Sequence, residues 1–390
     1  MINKVVYIGY QPLTEKIKED FYFKNLKEKG IEIEYWDLSD IYFKGVFNIQ
    51  LEGDFVVKID SFPLLKDLIK RQNKLNTLFL STVTFEHRVL TLYRLLSKYK
   101  CKTSFFARGA LPFATSTSGV ENFIIKLKKA LHLNLLFGYF KNKYAYFLKK
   151  KGIIQPYDLV FRAGEKGIQT IGVGSDIENE KSKIIDINSF DYDKYVKTKN
   201  STNLMTNKYC VFLDEYFPFH PDFEMLKIRT IEPNEYYENL NRFFDLVESK
   251  LNVEVVIAAH PKADKYREKD FFNKRKVFFN KSAELSRYSE FVMVHCSSSI
   301  NFAVLNEKPI LTLTSNSIKE VMPIYYHFIN HFSKILDTHL INIDVNVSSE
   351  LVLREPNTIK YSEYVYKYLT SLKSQDTISS EVFTQSILSL

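Results

Sequence analysis

The sequence predicts an α/β protein made of two Rossmann-like domains that face a central cleft. Three observations carry that prediction. The chain has 390 residues, more than one hydrophobic core ordinarily organises. Short β-branched runs alternate with longer amphipathic ones, the pattern of a parallel sheet covered by helices. The alternation then restarts after a polar, apolar-poor stretch at 196–208, which is the expected linker. The domains are therefore placed at 1–200 and 201–390.

In the first half VVYIGY (5–10) reads as a strand, TEKIKEDFYFKNLKEKG (14–30) as a helix closed by Gly30, and IEIEYWDL (31–38) as a second strand. FVVKI (55–59), LNTLFLST (75–82) and KTSFFARG (102–109) continue the series, with a helix over 86–99. YDLVFRAG (157–164) and IQTIGVGSD (168–176) are expected to add two more strands. In the second half YCVFLDE (209–215), VEVVIAA (253–259), KVFFN (276–280), EFVMVHC (290–296) and KPILTLT (308–314) read as strands. Helices are expected between them at 234–252, 282–289 and 297–307.

Composition narrows the function. With 45% hydrophobic and 26% charged residues the chain is globular, and a net charge of +8 favours an acidic partner, be it nucleotide, nucleic acid or anionic membrane. Cys101, Cys210 and Cys296 lie far apart, without the paired spacing of a zinc site or a disulfide framework. The N-terminal apolar run is too short for a signal peptide and no stretch is long enough to span a bilayer, so a cytoplasmic location is expected. Residues 120–151 differ in kind, being apolar and lysine-rich with hardly an acid after Glu121. They read either as a peripheral contact with an anionic inner membrane or as a helix pair with a solvated basic face.

Three strands of the second half end on polar residues: Asp214-Glu215, His260-Pro261 and Cys296-Ser297-Ser298-Ser299. In an open α/β sheet ligands lie beyond the carboxyl ends of strands, so all three would border one crevice. The serines precede a helical run, where free N–H groups, hydroxyls and the helix dipole favour a phosphate; plain capping needs only one of them. Pro261 holds the His260 backbone extended and stops the strand, leaving the ring to bond a phosphate. A carboxylate ending an apolar strand costs free energy unless it is engaged, so Asp214, with Glu215 as fallback, is the candidate base or nucleophile.

Weaker candidates are His220, in a second His-Pro dipeptide read as a loop over the site, Arg108 at a strand end of the first half, and Lys262 beside His260. Glu86 and His87 could form an acid–base pair, and His295 reads as a satisfied core histidine. There is no GxxxxGK[ST], HExxH, GxSxG or GxGxxG motif, and the DYD at 191–193 lies near the interdomain segment. No metal and no cofactor are expected.

Two Rossmann-like halves with a basic, His-Pro-containing C-terminal half resemble a GT-B glycosyltransferase. The ordered trio LDEYF, AAHPKAD and HCSSSINFAVL is similar to motifs of bacterial sialyltransferases and polysialyltransferases, and of the Kdo transferases of capsule and O-antigen assembly. Tyr216 stands where the sialyltransferase acidic motif usually ends in glycine. The resemblance implies a CMP-sugar donor, with His260 and Ser297–Ser299 holding its phosphate and Asp214 acting on the acceptor hydroxyl or the anomeric carbon. The implied product is a surface glycan or glycolipid bearing a nonulosonic acid. Alternatives are a GT-B enzyme using a nucleoside-diphosphate sugar, a polyol-phosphate transferase of the teichoic-acid type, which also uses His-Pro histidines, and a non-catalytic nucleotide- or nucleic-acid-binding protein. Nucleic acid is not the expected partner, since the basic residues match no RNA-recognition motif.

Overall fold

The computed structural model describes residues 1–45, 53–112, 133–225, 228–345 and 351–390. They form two compact units.

The first unit holds a seven-stranded, all-parallel sheet. Its strands are β1 Lys4–Gly9, β2 Glu32–Asp37, β3 Val56–Lys58, β4 Thr77–Ser81, β5 Lys102–Ala107, β6 Leu159–Ala163 and β7 Lys183–Ile187, in the order β3-β2-β1-β4-β5-β6-β7. Alternate residues point to opposite faces, and each face is buried. Val6, Ile8, Trp36 and Phe79 belong to one apolar cluster, whereas Val5, Tyr7, Tyr35 and Leu80 belong to another.

The second unit holds a six-stranded parallel sheet. Here β8 Tyr209–Leu213, β9 Glu254–Ala259, β10 Val277–Phe279, β11 Val292–Val294, β12 Ile310–Thr314 and β13 His339–Asn342 stand in the order β10-β9-β8-β11-β12-β13. Helix Pro233–Leu251 packs Tyr236, Leu240, Phe244 and Val247 into the cluster that includes Phe212 and Ile257. The winding reverses between β8 and β11, which makes that gap the topological switch point.

The patterning locates most of these strands, and the structure departs from it in the following ways. IQTIGVGSD is not a strand: Gly167–Ile171 form a 3₁₀ turn, and Gly172 and Gly174 take φ of 92° and 86°, outside the extended region. Gly172 meets Phe85 in a single parallel bridge, with the Val173 N–H donating to the Phe85 carbonyl at 3.0 Å, but the two glycine conformations end the pairing there and the seventh strand comes later, from KIIDI. The expected helix over 14–30 is broken at Tyr22 (φ 59°) into Glu15–Asp20 and Phe23–Glu28. Beyond Thr314, where the patterning assigns nothing, helix Pro323–Leu336 and β13 complete the second sheet.

The compact units also divide the chain differently from 1–200 and 201–390. The boundary falls after Phe190, and residues 367–390 return to the first unit. The reason is apolar packing. Helix Ser379–Leu388 buries Phe383 and Ile387 in the cluster holding Tyr7, Leu26 and Phe161, while Ser379 Oγ accepts the Asn188 N–H at 3.0 Å. Phe383 lies 5.0 Å from the Phe106 ring and 4.9 Å from Phe161. Phe383→Ala should therefore lower stability by about 3–5 kcal/mol, the usual cost of deleting a core phenylalanine; chemical denaturation measures it.

Candidate functional site

Because β9, β8 and β11 are neighbours, their carboxyl ends adjoin at the switch point of the second sheet. Asp214-Glu215, His260 and the 295–299 segment continue from those three ends, as the sequence implies. A second histidine joins them, since the His220 ring lies 4.6 Å from that of His260, centroid to centroid, at 58°.

The two His-Pro dipeptides build the same turn. His260 Nδ1 accepts the Lys262 N–H at 3.2 Å and its carbonyl accepts the Ala263 N–H at 2.9 Å. His220 Nδ1 accepts the Asp222 N–H at 3.2 Å and its carbonyl accepts the Phe223 N–H at 3.0 Å. Proline supplies the fixed φ each turn needs. The Lys262 ammonium, 2.7 Å from the Asp222 carboxylate, ties one turn to the other. With Nδ1 of both rings accepting, the proton of each neutral imidazole sits on Nε2. Burial pushes His260 down to about 4, helped by His220 and Lys262 and opposed by Asp222. Burial also lowers His220. Two neutral Nε2–H donors side by side are what the turns present at neutral pH.

Beneath them lies the acidic pair, buried at 3% and 9% exposure. Glu215 Oε1 accepts the Cys296 N–H at 2.7 Å, joining the end of β8 to the start of the serine loop. Glu215 Oε2 and both Asp214 oxygens are shielded from solvent and meet no donor in full hydrogen-bonding geometry. Burial raises Asp214 to about 6, partly offset by the nearby N–H groups of Tyr216, His260 and Glu215 and by the Tyr266 hydroxyl. Those donors are close enough to favour the anion without pairing it fully. Glu215 is raised well above the ordinary range by burial and by the charge of Asp214.

Tyr216 has φ of 59°, in the left-handed region. Glycine occupies that conformation most cheaply. Here a buried ring offsets the backbone cost: Tyr216 is 3% exposed and packs 5.1 Å from Tyr266 and 5.5 Å from Phe219.

Ser297 and Ser299 are half-buried and Ser298 is exposed. The Ser297, Ser298 and Ser299 carbonyls accept the N–H groups of Ile300, Asn301 and Phe302. Ser297 Oγ accepts the Ser299 N–H at 3.3 Å, but no serine hydroxyl caps helix Ile300–Leu305. Ordinary side-chain capping therefore does not account for the cluster. Asn301 on that helix donates to Asp191 at 2.7 Å, which gives the first residue of DYD a structural partner.

The remaining candidates stand elsewhere. His295 is fully buried, with Nδ1 2.8 Å from the Leu313 carbonyl and Nε2 3.0 Å from the Tyr236 hydroxyl, a satisfied core histidine. Arg108 lies within the first unit, buried, donating to the Tyr22 hydroxyl at 2.6 Å and lying 3.9 Å over the Phe190 ring. His87 meets Asn142, and Glu86 accepts from Arg88, so these two make no acid–base pair. Of 120–151, residues 120–132 lie outside the described residues. Sequence reading missed the aromatic cluster of Tyr236, Tyr237 and Tyr266, the last two with hydroxyls 2.7 Å apart, and, though it read the second His-Pro loop as lying over the site, it missed the contact of that ring with His260. The duplicated His-Pro was the available signal for the latter.

No family model and no curated protein matches the chain. Among solved structures it is similar to the wall teichoic acid polymerase TagF, with a TM-score of 0.53 and 10% identity over 99% of this chain and 89% of that one. A histidine-to-asparagine variant of TagF soaked with CDPG gives 0.50 and 11%, over 99% and 88%. The UDP-GlcNAc 2-epimerase of Methanocaldococcus jannaschii, in complex with UDP-GlcNAc and UDP, gives 0.47 and 14%, over 100% and 99%. At such identities the TagF likeness shows the fold, two parallel α/β units of the GT-B class.

The buried acids make stability pH-dependent. A carboxyl whose pKa is raised on folding binds its proton more tightly in the native state, so its contribution falls as pH rises from about 4 to about 6 and stays low above. Asp214→Asn should remove that dependence. Its stability relative to the unsubstituted protein should grow across that window by about 3 kcal/mol and then level off, as denaturation at a series of pH values would show.

Proposed function

We propose that the second unit holds the phosphates of a cytidine-nucleotide donor between the paired histidines and the serine loop. The chain would then be a metal-independent transferase of surface-glycan assembly. The observation that carries this reading is the pair of His-Pro turns, which aim two neutral Nε2–H donors from rings 4.6 Å apart beside the switch point. Donors fixed before the reaction stabilise negative charge developing on a leaving phosphate without reorganisation. The net charge of +8 draws an anionic donor in.

Two histidines suit a donor with two linked phosphates, one Nε2–H for each. That favours a CDP-activated polyol phosphate, in line with the TagF fold and the CDPG soaked into that protein. The second reading is a nonulosonic acid, sialic-acid-like or Kdo, taken from a CMP donor. It is favoured by the order of acidic pair, His-Pro and serine cluster along the chain, and one phosphate would then lie on the serine loop. The first unit is assigned to the acceptor, a glycan or glycolipid reached from the cytoplasmic side, with the protein peripheral on the inner membrane.

Asp214 is assigned the acceptor proton, with Glu215 beside it. Its oxygens lie below the surface, so the role requires the residues after β8 to yield when acceptor binds. Asp214→Asn separates two roles. A proton acceptor loses transfer and keeps nucleotide affinity, whereas a mere support for the His260 turn loses both.

Thermal-shift titration with CMP, CDP, UDP and GDP tests the donor. Stabilisation by CDP beyond CMP selects the polyol-phosphate reading, CMP alone the nonulosonic one, and a response only to UDP or GDP sinks both. His260→Ala should weaken nucleotide binding about ten- to a hundredfold, the worth of one hydrogen bond to a charged group, with His220→Ala in the same direction.

A further inference from the structure

We infer that the outward face of helix Leu133–Lys150 docks on an anionic lipid surface, which deepens the membrane-peripheral reading by naming the face. Phe137, Tyr139, Phe140, Tyr144 and Phe147 are exposed by 64%, 54%, 62%, 52% and 49%. Phe137, Phe140, Tyr144 and Phe147 recur at helical spacing and form one stripe. Ile153, just past the helix, is 54% exposed as well. Single exposed apolar residues need no explanation, but a continuous stripe of large rings does.

Along the helix the charges have one sign, while from neighbouring elements Arg94 donates to the Tyr144 hydroxyl at 3.0 Å and Asp176 accepts from Tyr146. Lys141, Lys143, Lys150 and Lys151 are exposed, and no acid occurs from 137 to 153. Lys141 Nζ lies 4.8 Å over the Phe137 ring, Lys143 4.9 Å over Tyr139 and Lys151 5.7 Å over Phe147. Rings interleaved with lysine stems suit the bilayer interface, where rings settle at headgroup level and ammonium groups reach lipid phosphates. A protein groove would leave those ammonium groups in need of acids, and a second copy would set like charges together. Among the described residues no helix is long and apolar enough to cross a membrane, so this one would lie on the surface.

The opposite face is already engaged. Ala145 and Leu148 are buried, Lys149 pairs with Glu178 at 2% and 0% exposure, and Asn142 Oδ1 accepts the His87 N–H at 2.9 Å. The Tyr146 hydroxyl donates to Asp176 at 2.9 Å. The helix is therefore clamped to the first unit with its rings outward, a preorganised surface that loses little entropy on docking.

Co-sedimentation of the full chain with vesicles is the test. It should sediment with phosphatidylcholine vesicles containing phosphatidylglycerol, release in high salt, and stay in solution with phosphatidylcholine alone. Substituting Phe137, Phe140 and Phe147 together by Ser should weaken binding about tenfold or more, and so should Lys141→Glu with Lys143→Glu. These side chains are exposed, so folding should be unaffected. His260→Ala should bind vesicles normally, which separates this face from the nucleotide site. Equal binding to both kinds of vesicle, or unchanged binding in both variants, overturns the inference. Self-association that the Phe substitutions abolish, without vesicle binding, overturns it in favour of a second copy.

Discussion

The candidate site depends on the central place of β8 in the second sheet and on the carboxylates that end it. Strand β8 lies between β9 and β11, so the loop leaving its carboxyl end is flanked by the loops leaving both neighbours. Glu215 converts that adjacency into a bond by accepting the Cys296 N–H, which fixes where the serine loop leaves its strand. Asp214 lies near the His260 N–H on the other side. One acidic dipeptide thus touches both loops. Adjacent residues on an extended chain face opposite ways, which is why a pair of acids and not one can do this.

The histidines extend the same logic away from the sheet. Each could have pointed anywhere from its loop, yet the Nδ1 bond to the second N–H downstream fixes both rings from their own backbones. The Asp222–Lys262 pair joins the two turns, although half-exposed ions contribute little stability and its main effect is geometric. Ring orientation is settled locally, and ring proximity by one tie.

Legibility in the sequence depends on the range of the interactions. Strands buried on both faces announce themselves as apolar runs, so most of the second sheet and all three polar strand ends could be read directly. The failures are long-range. Nothing local in IQTIGVGSD says that its pairing with Phe85 stops at a single bridge, where Gly172 and Gly174 leave the extended region. Nothing near Phe383 says that its partners, Phe106 and Phe161, lie in the first half. His220 was read as part of a loop over the site, but the contact of its ring with His260 is set only where that loop meets the β9 end in the folded chain. His295 was read correctly because an apolar strand around a histidine implies burial, and burial requires two hydrogen bonds.

Two buried carboxyls close to an anion site look unfavourable, since carboxylates repel phosphate. Their surroundings resolve this. Burial, with Asp214 as neighbour, raises Glu215 well above the ordinary range, so it favours the neutral acid, and Asp214 at about 6 is not far below neutral pH. The strand ends therefore carry less negative charge than their residues suggest, while the histidines offer N–H groups without needing positive charge. A bound phosphate would raise both acids further, so binding and proton uptake favour one another. A surface carboxylate pair would lack this coupling, because water would screen it. The burial that makes an ionised Asp214 costly is therefore also what lets its protonation respond to a ligand.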